Sequence, residues 1–222
     1  MENTLSDIAT DLVARATGSG ASDADVVAVN GQSTSVEALN GKLENTERSE
    51  GISVGLRVFI GKSQAIVTAS RFTPDDRKEL VERAVAMAKV APQDPFAGLA
   101  PEQLLASDLP DLDICDDADP STQDLLDAAL KAEASGLAVK GVSQSGGGSA
   151  SARRNEIFLA TSNGFNHGYA RTSYGVSASM IAGSGTEMAR DYDYVSSVHL
   201  SDADTPEKIG QLAGERAVNR LN

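Results

Sequence analysis

Four stretches of the chain carry apolar residues every three or four positions, the spacing that places them on one face of an α-helix. The first stretch follows Thr4, which can cap the free amides of a helix start, and ends at Gly18 and Gly20. The other three begin where Thr or Asp precedes Pro, a pair suited to the first helical positions. These starts are Thr73-Pro74, Asp119-Pro120 and Thr205-Pro206. The sequence therefore predicts four helices.

Between the helices, apolar and polar residues alternate, which is typical of strands with one covered face. The clearest runs are 52–60 and 170–180. Their apolar sets are Ile52, Val54, Leu56 and Val58 in the first, and Tyr174, Val176, Ala178 and Met180 in the second. We expect both sets to point toward helices and the opposite faces to meet solvent or a partner.

Asn-Gly pairs punctuate the strands at 30–31, 40–41 and 163–164, and this dipeptide tolerates the positive φ angles of tight hairpin turns. In the second half, the first two strands are predicted over 141–151 and 156–160. Together these signals predict four strands in each half of the chain.

The order helix, four strands and helix therefore occurs twice, and the outer helices both contain Glu-Arg-Ala-Val, at 82–85 and 215–218. A period this long indicates an internal duplication of packed units rather than a solenoid. Alternating strands favour mainly antiparallel sheets with helices on one face. We predict two similar helix–four-strand–helix units of the α+β class, 1–91 and 120–222. A Pro-rich acidic connector, 92–119, joins them.

Charge narrows the set of partners. The net charge is −13, and every charged residue between Val90 and Leu130 is acidic. Such a field repels a phosphate backbone, and no basic stripe elsewhere compensates it. We therefore expect no nucleic-acid partner. The acidic segment is interpreted as a solvated connector, with an acidic docking surface as the alternative.

The cellular compartment is predicted from the cysteine content, the amino-terminal residues and the length of the apolar runs. Cys115 is the only cysteine, and the amino terminus has neither a basic start nor an apolar run of signal-peptide length. No window approaches the ~18 uncharged apolar residues that a membrane span requires. We expect a cytoplasmic protein with no membrane partner.

No catalytic or metal site is expected in this chain. Hydrolytic zinc needs three protein ligands, and the two histidines, His167 and His199, are far apart on predicted strands. Cys115 lies in the connector. The sequence has no Gly-x-Ser-x-Gly, and no Lys-Ser/Thr follows Gly146-Gly147-Gly148 as a phosphate-binding loop demands. We interpret those glycines as a strand that another backbone approaches closely.

Four residues are predicted as interface or ligand candidates: Arg57, Arg171, Tyr192 and Tyr194. The two arginines lie on the polar faces of their strands. For Arg57, the plainer interpretation is an ion pair with Glu44 or Glu47 on a neighbouring strand. The tyrosines belong to the run 190–194, and tyrosine supplies contact area with a polar tip suited to interfaces.

Several of these segments resemble one family. Gly51-Ile-Ser-Val-Gly-Leu-Arg57-Val-Phe-Ile-Gly61 resembles the glycine-bounded strand of TldD and PmbA proteins. The segment Asp94-Pro-Phe-Ala-Gly-Leu99 resembles the connector of the PmbA branch, also called TldE. Ser162-Asn-Gly-Phe165, Asp191-Tyr-Asp-Tyr194 and Pro206-Glu-Lys-Ile-Gly210 follow in the family's order. The chain is thus identified as the amino-terminal half of a PmbA-like subunit.

The resemblance implies a function that the residues alone do not. Family members are about twice this long, and the TldD branch carries a zinc-binding His-Glu-x-x-x-His helix in its carboxy-terminal half. The PmbA branch lacks that motif and pairs with a TldD-like subunit to form a peptidase of unfolded peptides. By this resemblance we expect a TldD-like partner and extended peptides as ligands. Zinc is expected only in that partner, and no catalytic residue here.

Two functions stay open. In the first, the chain is a non-catalytic subunit that shapes a peptide-access chamber and binds extended peptides by strand addition. In the alternative, it is a regulatory interaction module acting on DNA gyrase or a toxin–antitoxin system. A homodimer is a further option, and an independent enzyme would need a site that the residues do not show.

Overall fold

The structure is a computed structural model that describes residues 4–221. Over these residues it contains four α-helices and six β-strands. In chain order they are α1 (Leu5–Gly18), β1 (Asp23–Leu39), β2 (Lys42–Ile60), β3 (Ser63–Ala69), α2 (Pro74–Val90), α3 (Thr122–Leu137), β4 (Val142–Thr161), β5 (Asn166–Ala182), β6 (Ala189–Ser197) and α4 (Pro206–Asn219). No helix in this part of the chain is long and apolar enough to cross a membrane.

The strands form one sheet in the order β3-β2-β1-β4-β5-β6. The edge pairs, β2 with β3 and β5 with β6, are antiparallel, and the sheet is antiparallel throughout. The predicted α+β class is therefore confirmed. The number of strands differs, because each half supplies three strands, two of them long, instead of four short ones.

Two predicted strand breaks do not exist. β1 runs through Asn30 and Gly31, neither of which has a positive φ. A Cβ on Gly31 would lie 3.0 Å from the side-chain oxygen of Asn155 on β4, so this glycine marks a close neighbour and not a turn. β4 likewise continues through 152–155. By contrast, Asn40 and Gly41 have φ angles of 54° and 71°, as the predicted hairpin turn requires.

The residues group into two compact units that interleave along the chain. The first unit comprises 4–31, 50–112 and 155–170, and the second comprises 32–49, 113–154 and 171–221. α1 and α2 belong to the first unit, α3 and α4 to the second. Four of the six strands pass from one unit into the other, so each unit is built from several separate segments of the chain. The connector contains only a short 3-10 turn at 102–104.

The helix starts follow from side-chain capping. Thr4, Thr73 and Ser121 each accept a hydrogen bond from the amide three residues on, and an Asp at that position bonds back to the cap amide. α3 therefore begins after Ser121, two residues later than predicted. Hydrogen bonds from the hydroxyl and then the amide of Ser121 lower the pKa of the Asp124 carboxyl.

In the first unit, α1 and α2 cover the apolar face of the strands. The core contains Val54, Leu56 and Val58 of β2, Ala24, Val26 and Ala28 of β1, Ile8 and Leu12 of α1, and Leu80, Val81 and Ala84 of α2. Ile52 packs against this cluster from its rim. The predicted orientation of the first apolar set is confirmed.

In the second unit, small residues bring α3 and α4 close to their neighbours. Ala178 and Met180 of β5 are buried against Ala132 of α3 and against Ile209, Ala213 and Ala217 of α4. A Cβ on Gly148 of β4 would clash with the Ala129 carbonyl oxygen, and one on Gly210 of α4 with the Ala132 carbonyl oxygen. The glycine-rich segment of β4 is therefore a place of close backbone approach, as predicted.

One buried carboxylate ties α3 to the β1–β2 hairpin. Glu133 is 1% exposed. Its two oxygens accept hydrogen bonds from the amides of Asn40 and Gly41, at 2.7 and 2.8 Å. These are the two turn residues, and the carboxylate supplies an acceptor to the backbone amide of each. The sequence carried no signal for this contact.

We predict that Glu133→Gln destabilises the protein by about 2 kcal/mol, because the side-chain amide nitrogen of Gln cannot accept the second hydrogen bond and would be a buried donor facing the N–H of a turn residue. Urea unfolding of both proteins measures the difference. The control is Glu82→Gln on α2, where the side chain is 64% exposed and the expected change is within about 0.5 kcal/mol. Equal effects would contradict the role of Glu133.

We also predict that Gly210→Ala lowers the thermal midpoint. Inside an open helix this change stabilises by about 1 kcal/mol, but here the new methyl group meets the backbone of α3, and overpacking costs about 1–3 kcal/mol. Gly18→Ala in the last turn of α1 is the control, because a Cβ there meets nothing within 4 Å. A stabilised Gly210→Ala protein would show that α3 and α4 are not in close contact.

Candidate functional site

The candidate residues lie on the strand faces that the helices leave open. Arg57 occupies the position between Leu56 and Val58, whose side chains point to α1 and α2. Tyr192 and Tyr194 flank Asp193, which points to α4. In each unit, these candidate residues therefore lie on the face of the sheet opposite the helices.

Arg57 is held by an ion pair on the face of β2 that points away from α1 and α2. Its Nε lies 2.9 Å from Oδ2 of Asp25 on β1, and its Nη2 bonds the same oxygen. Asp25 is 7% exposed. The guanidinium also stacks over Phe59, 5.0 Å from the ring centre. Arg57 thus has a structural partner that accounts for its conformation.

The predicted partners of Arg57 are wrong. Glu44 and Glu47 are on β2 itself, not on a neighbouring strand, because β2 runs unbroken from Lys42 to Ile60. Glu47 precedes Arg57 by ten positions on this same strand, so it cannot be a cross-strand partner of Arg57. The prediction failed because the strand was assumed to begin near residue 52.

The two tyrosines form a stacked, exposed pair on β6. Their ring centres are 6.3 Å apart with planes inclined by 25°, and they are 58% and 64% exposed. The alternate carboxylates anchor the strand to α4: Asp193 bonds Arg216 at 2.6 Å and Asp191 bonds Arg220 at 3.4 Å. The acidic residues of this run therefore anchor β6 to α4, whereas the two tyrosines are exposed to solvent.

Serines lie beside the tyrosine pair. On β5, Ser179 lies opposite Tyr192 and Ser177 opposite Tyr194, so all four side chains share one face. Ser177 in turn shares a 2.8 Å hydrogen bond with Ser149 of β4. We call these five residues the tyrosine–serine face. It offers two aromatic rings and a floor of short hydroxyl side chains.

Arg171 is exposed but does not join this face. It precedes Ser177 by six residues on β5, or about 20 Å along the strand. Within the second unit, the structure therefore brings Tyr192 and Tyr194 together and leaves Arg171 apart from them.

The second unit also contains a charged pocket that the sequence did not predict. It has a volume of about 430 Å³ and is lined by Arg48, Arg153, Arg154, Asp117 and Asp119, among others. The buried hydroxyl of Tyr174 donates a 2.6 Å hydrogen bond to Ala118 at its wall. Its charged residues come from three distant segments, so spacing along the chain could not reveal it. Both signs of charge are present, which suits polar groups better than a simple anion.

In the first unit, a second depression lies at the start of α1. Leu5, Ile52, Ile157 and Phe158 contribute apolar surface to a groove of about 830 Å³, and Tyr169 at its side is 57% exposed. It is more apolar than the charged pocket and lacks basic residues among its lining.

The connector is held on the second unit around residue 116. Nε2 of His199 lies 3.0 Å from the Asp113 carbonyl oxygen. The Asp116 carboxylate accepts a hydrogen bond from the Leu200 amide, and the Asp116 amide donates to the buried hydroxyl of Thr172, both at 2.8 Å. His199 therefore has a structural role, while His167 lies in the first unit beside Phe165. Over 4–221, no group of three or more His, Cys, Asp or Glu is arranged to hold a metal ion.

Comparison with known proteins gives two separate matches to family models. Residues 24–88 match the family model described as PmbA/TldA metallopeptidase domain 1, and 115–221 match the PmbA/TldA metallopeptidase central domain. The two matches are separated by residues 89–114 and together cover most of the chain. The chain belongs to the PmbA/TldD family.

Curated relatives support the PmbA branch. The chain is 32% identical over 206 residues to Metalloprotease PmbA of Escherichia coli O157:H7, covering 92% of this chain and 46% of that protein. It is 30% identical to the Metalloprotease PmbA homolog of Haemophilus influenzae, covering 93% and 46%. The chain thus spans about half the length of the curated relatives it matches.

Solved structures show the same fold at lower identity. A candidate modulator of DNA gyrase from Bacteroides thetaiotaomicron superposes with a TM-score of 0.90 at 20% identity, over 99% of this chain and 51% of that one. TldE from Thermococcus kodakarensis superposes with a TM-score of 0.75 at 16% identity, over 96% and 46%. The resemblance to PmbA and TldE proteins noted from the motifs is confirmed.

In this PmbA/TldD-family chain, we predict that His199 makes the connector contact pH-dependent. The hydrogen bond to the Asp113 carbonyl, with the carboxylates of Asp113, Asp116 and Asp202, raises the pKa of His199 above its ordinary 6.5. Because the folded-state pKa is raised, the stabilisation is fully present below pH 6.5 and is lost as the pH rises through the folded-state value.

Two measurements test the predicted pH dependence of the contact between His199 and the connector. The imidazole signal that His199→Gln removes from the NMR spectrum should titrate with a midpoint above 6.5. The stability that this variant loses, followed by urea unfolding from about pH 5.5 to about 8.5, should shrink as the pH rises. A midpoint at or below 6.5 would show that the acidic connector does not surround His199.

Proposed function

We propose that this chain is the amino-terminal domain of a PmbA/TldE-like, non-catalytic subunit in a TldD-type zinc metallopeptidase complex. In this role it shapes the path by which peptides reach the active site and contacts the TldD-like subunit. Family membership supports the proposal, since both matched domains carry the metallopeptidase description and the curated relatives are metalloproteases by name.

The tyrosine–serine face is the structural feature that best supports this proposal. A floor of short side chains lets an extended peptide backbone come close to the sheet, and serine hydroxyls can both donate to and accept from peptide groups. The stacked tyrosines add contact area without demanding a particular residue. Such a surface suits peptides of many sequences, which is what a degrading enzyme must admit.

The residues of this chain do not fit a hydrolytic zinc ion. Its two histidines belong to different units, and His199 already bonds the connector. Under this proposal, the zinc and the residues that activate water come from the TldD-like subunit, as the family resemblance implies. The contribution of this chain is to bind and orient the peptide, and no bond-breaking step is assigned to it.

A reconstituted assay tests the proposal. A TldD-like subunit is assayed on an unstructured fluorogenic peptide alone, with this chain, and with the double variant Tyr192→Ser/Tyr194→Ser. We expect hydrolysis to depend on the chain. The double variant should raise KM about tenfold with kcat little changed, because it removes contacts made equally in the bound and transition states.

Tyr169→Ser is the matched control, since Tyr169 is an exposed tyrosine of similar accessibility in the first unit. It should leave KM within about twofold. Equal KM values for the control and the double variant would rule out a special role of the tyrosine pair. If the TldD-like subunit hydrolyses the peptide at the same rate with and without this chain, the subunit role is overturned.

The regulatory alternative has a different signature. An interaction module for DNA gyrase or a toxin–antitoxin system would capture that target without changing peptide hydrolysis. The net charge of −13 leaves protein, rather than DNA, as the target for such a module. Pull-down against a TldD-like subunit and against gyrase distinguishes the two functions.

A further inference from the structure

The charged pocket of the second unit holds both signs of charge without pairing all of them. Asp117 and Asp119 lie at its connector wall and are exposed, and no ion pair joins either carboxylate to another residue within 4–221. Arg48 and Arg154 line the same pocket. Because these carboxylates and guanidinium groups do not pair with one another, a ligand that carries both charges can bond to both.

The two arginines have partners within the chain, and this does not prevent them from binding a ligand. Nη1 of Arg154 donates a 3.4 Å hydrogen bond to the Asp116 carbonyl oxygen. Arg48 and Arg154 each make a further contact within the chain. A guanidinium group has five N–H donors and can present two of them side by side to one carboxylate. A guanidinium group that is held by a neighbour can therefore bind a ligand carboxylate as well.

The connector wall of the pocket is anchored to β5. Thr172 and Tyr174 are 2% and 3% exposed. The Thr172 hydroxyl accepts a 2.8 Å hydrogen bond from the Asp116 amide, and the Tyr174 hydroxyl donates a 2.6 Å hydrogen bond to the Ala118 carbonyl oxygen. Asp117 therefore lies between two anchored residues. A wall that is fixed before the ligand arrives lowers the entropy cost of binding.

Neutral polar side chains complete the lining. Gln32, Ser33 and Thr34 of β1 contribute a side-chain amide and two hydroxyl groups. Amide and hydroxyl side chains can both donate hydrogen bonds to a peptide group and accept them from it. The lining therefore offers partners for a peptide bond as well as for two opposite charges.

The volume of the pocket limits the length of such a ligand. At about 430 Å³ it falls within the range of small-molecule sites, and a sphere of that volume is about 9 Å across. An extended chain spans about 3.5 Å per residue, so the terminal charges of a dipeptide are at most about 7 Å apart and those of a tripeptide about 10 Å. A dipeptide fits this space, whereas an extended tripeptide does not.

We propose that the charged pocket is a binding site for a dipeptide with free termini. The carboxylate of the ligand bonds to the guanidinium groups of Arg48 and Arg154, and its ammonium group bonds to the carboxylates of Asp117 and Asp119. The site shares no residue with the tyrosine–serine face. Binding requires neither a TldD-like subunit nor hydrolysis, so the inference stands apart from the proposed function.

Titration with Ala-Ala tests the site on the 222-residue chain. Calorimetry measures the affinity, and amide NMR locates the contact. We expect Ala-Ala to bind and to shift the amide signals of 32–34 and 117–122. Acetyl-Ala-Ala and Ala-Ala amide should each bind at least about tenfold more weakly, because each lacks one of the two charges and charge-assisted hydrogen bonds are the stronger ones.

Variants assign the charges to residues. Arg154→Gln should weaken Ala-Ala binding at least about tenfold and Asp119→Asn about fivefold. The matched controls are Arg171→Gln and Asp108→Asn, which remove the same charges from exposed residues outside the pocket and should change the affinity less than about twofold.

The blocked ligand separates a direct contact from an effect on folding. If Arg154 bonds the ligand carboxylate, Arg154→Gln should weaken Ala-Ala but have little further effect on Ala-Ala amide, which has already lost that group. The Arg154→Gln chain should then bind the two ligands alike.

The proposal fails in any of three cases. Ala-Ala at about 10 mM could leave the amide signals of 32–34 and 117–122 unmoved. The blocked dipeptides could bind as tightly as Ala-Ala. Or Arg154→Gln could weaken Ala-Ala and its amide by the same factor, which would show that this arginine acts on the fold and not on the ligand carboxylate.

Discussion

The close approach of α3 to the backbone of β4 and α4 is the contact on which the second unit depends. It exists because Gly148, Gly210 and their neighbours carry no side chain where the backbones meet. With α3 at that distance, the carboxylate of Glu133 reaches the turn amides of the β1–β2 hairpin. Those two hydrogen bonds hold the turn that immediately precedes β2. A larger residue at either glycine would lift α3 away from the hairpin that it holds.

The same arrangement explains why one face of the strands stays open. Ala178 and Met180 bury their side chains under α3 and α4, and the alternate positions of β5 and β6 point the other way. The anchoring carboxylates of β6 bond to α4 and leave Tyr192 and Tyr194 exposed. Two aromatic rings side by side on a serine floor are unusual for a surface that only meets water, since exposed aromatic area commonly marks a contact site.

The sequence predicted those features that depend on interactions between residues close together in the chain. The capped helices at Thr4 and Thr73 and the hairpin at 40–41 follow from side chains within a few residues of each other. The turn predicted at 30–31 failed because a glycine can serve either a turn or a close neighbour, and only the position of Asn155 decides between them. The partner of Arg57 was missed for a related reason. Asp25 is 32 residues away and becomes adjacent only through strand pairing.

The charged pocket and the contacts of Glu133 could not be predicted from the sequence for the same reason. Each brings together residues that are far apart in the chain, and no sequence spacing links them. The central claim is that the tyrosine–serine face contacts extended peptides, and photo-crosslinking tests it most directly. An unstructured peptide carrying a benzophenone group is irradiated with the chain and a TldD-like subunit, and the adducts are mapped by mass spectrometry. The account predicts adducts at Tyr192, Tyr194 and the strand around Ser177. Adducts confined to the outer surfaces of the helices or to the acidic connector would contradict it.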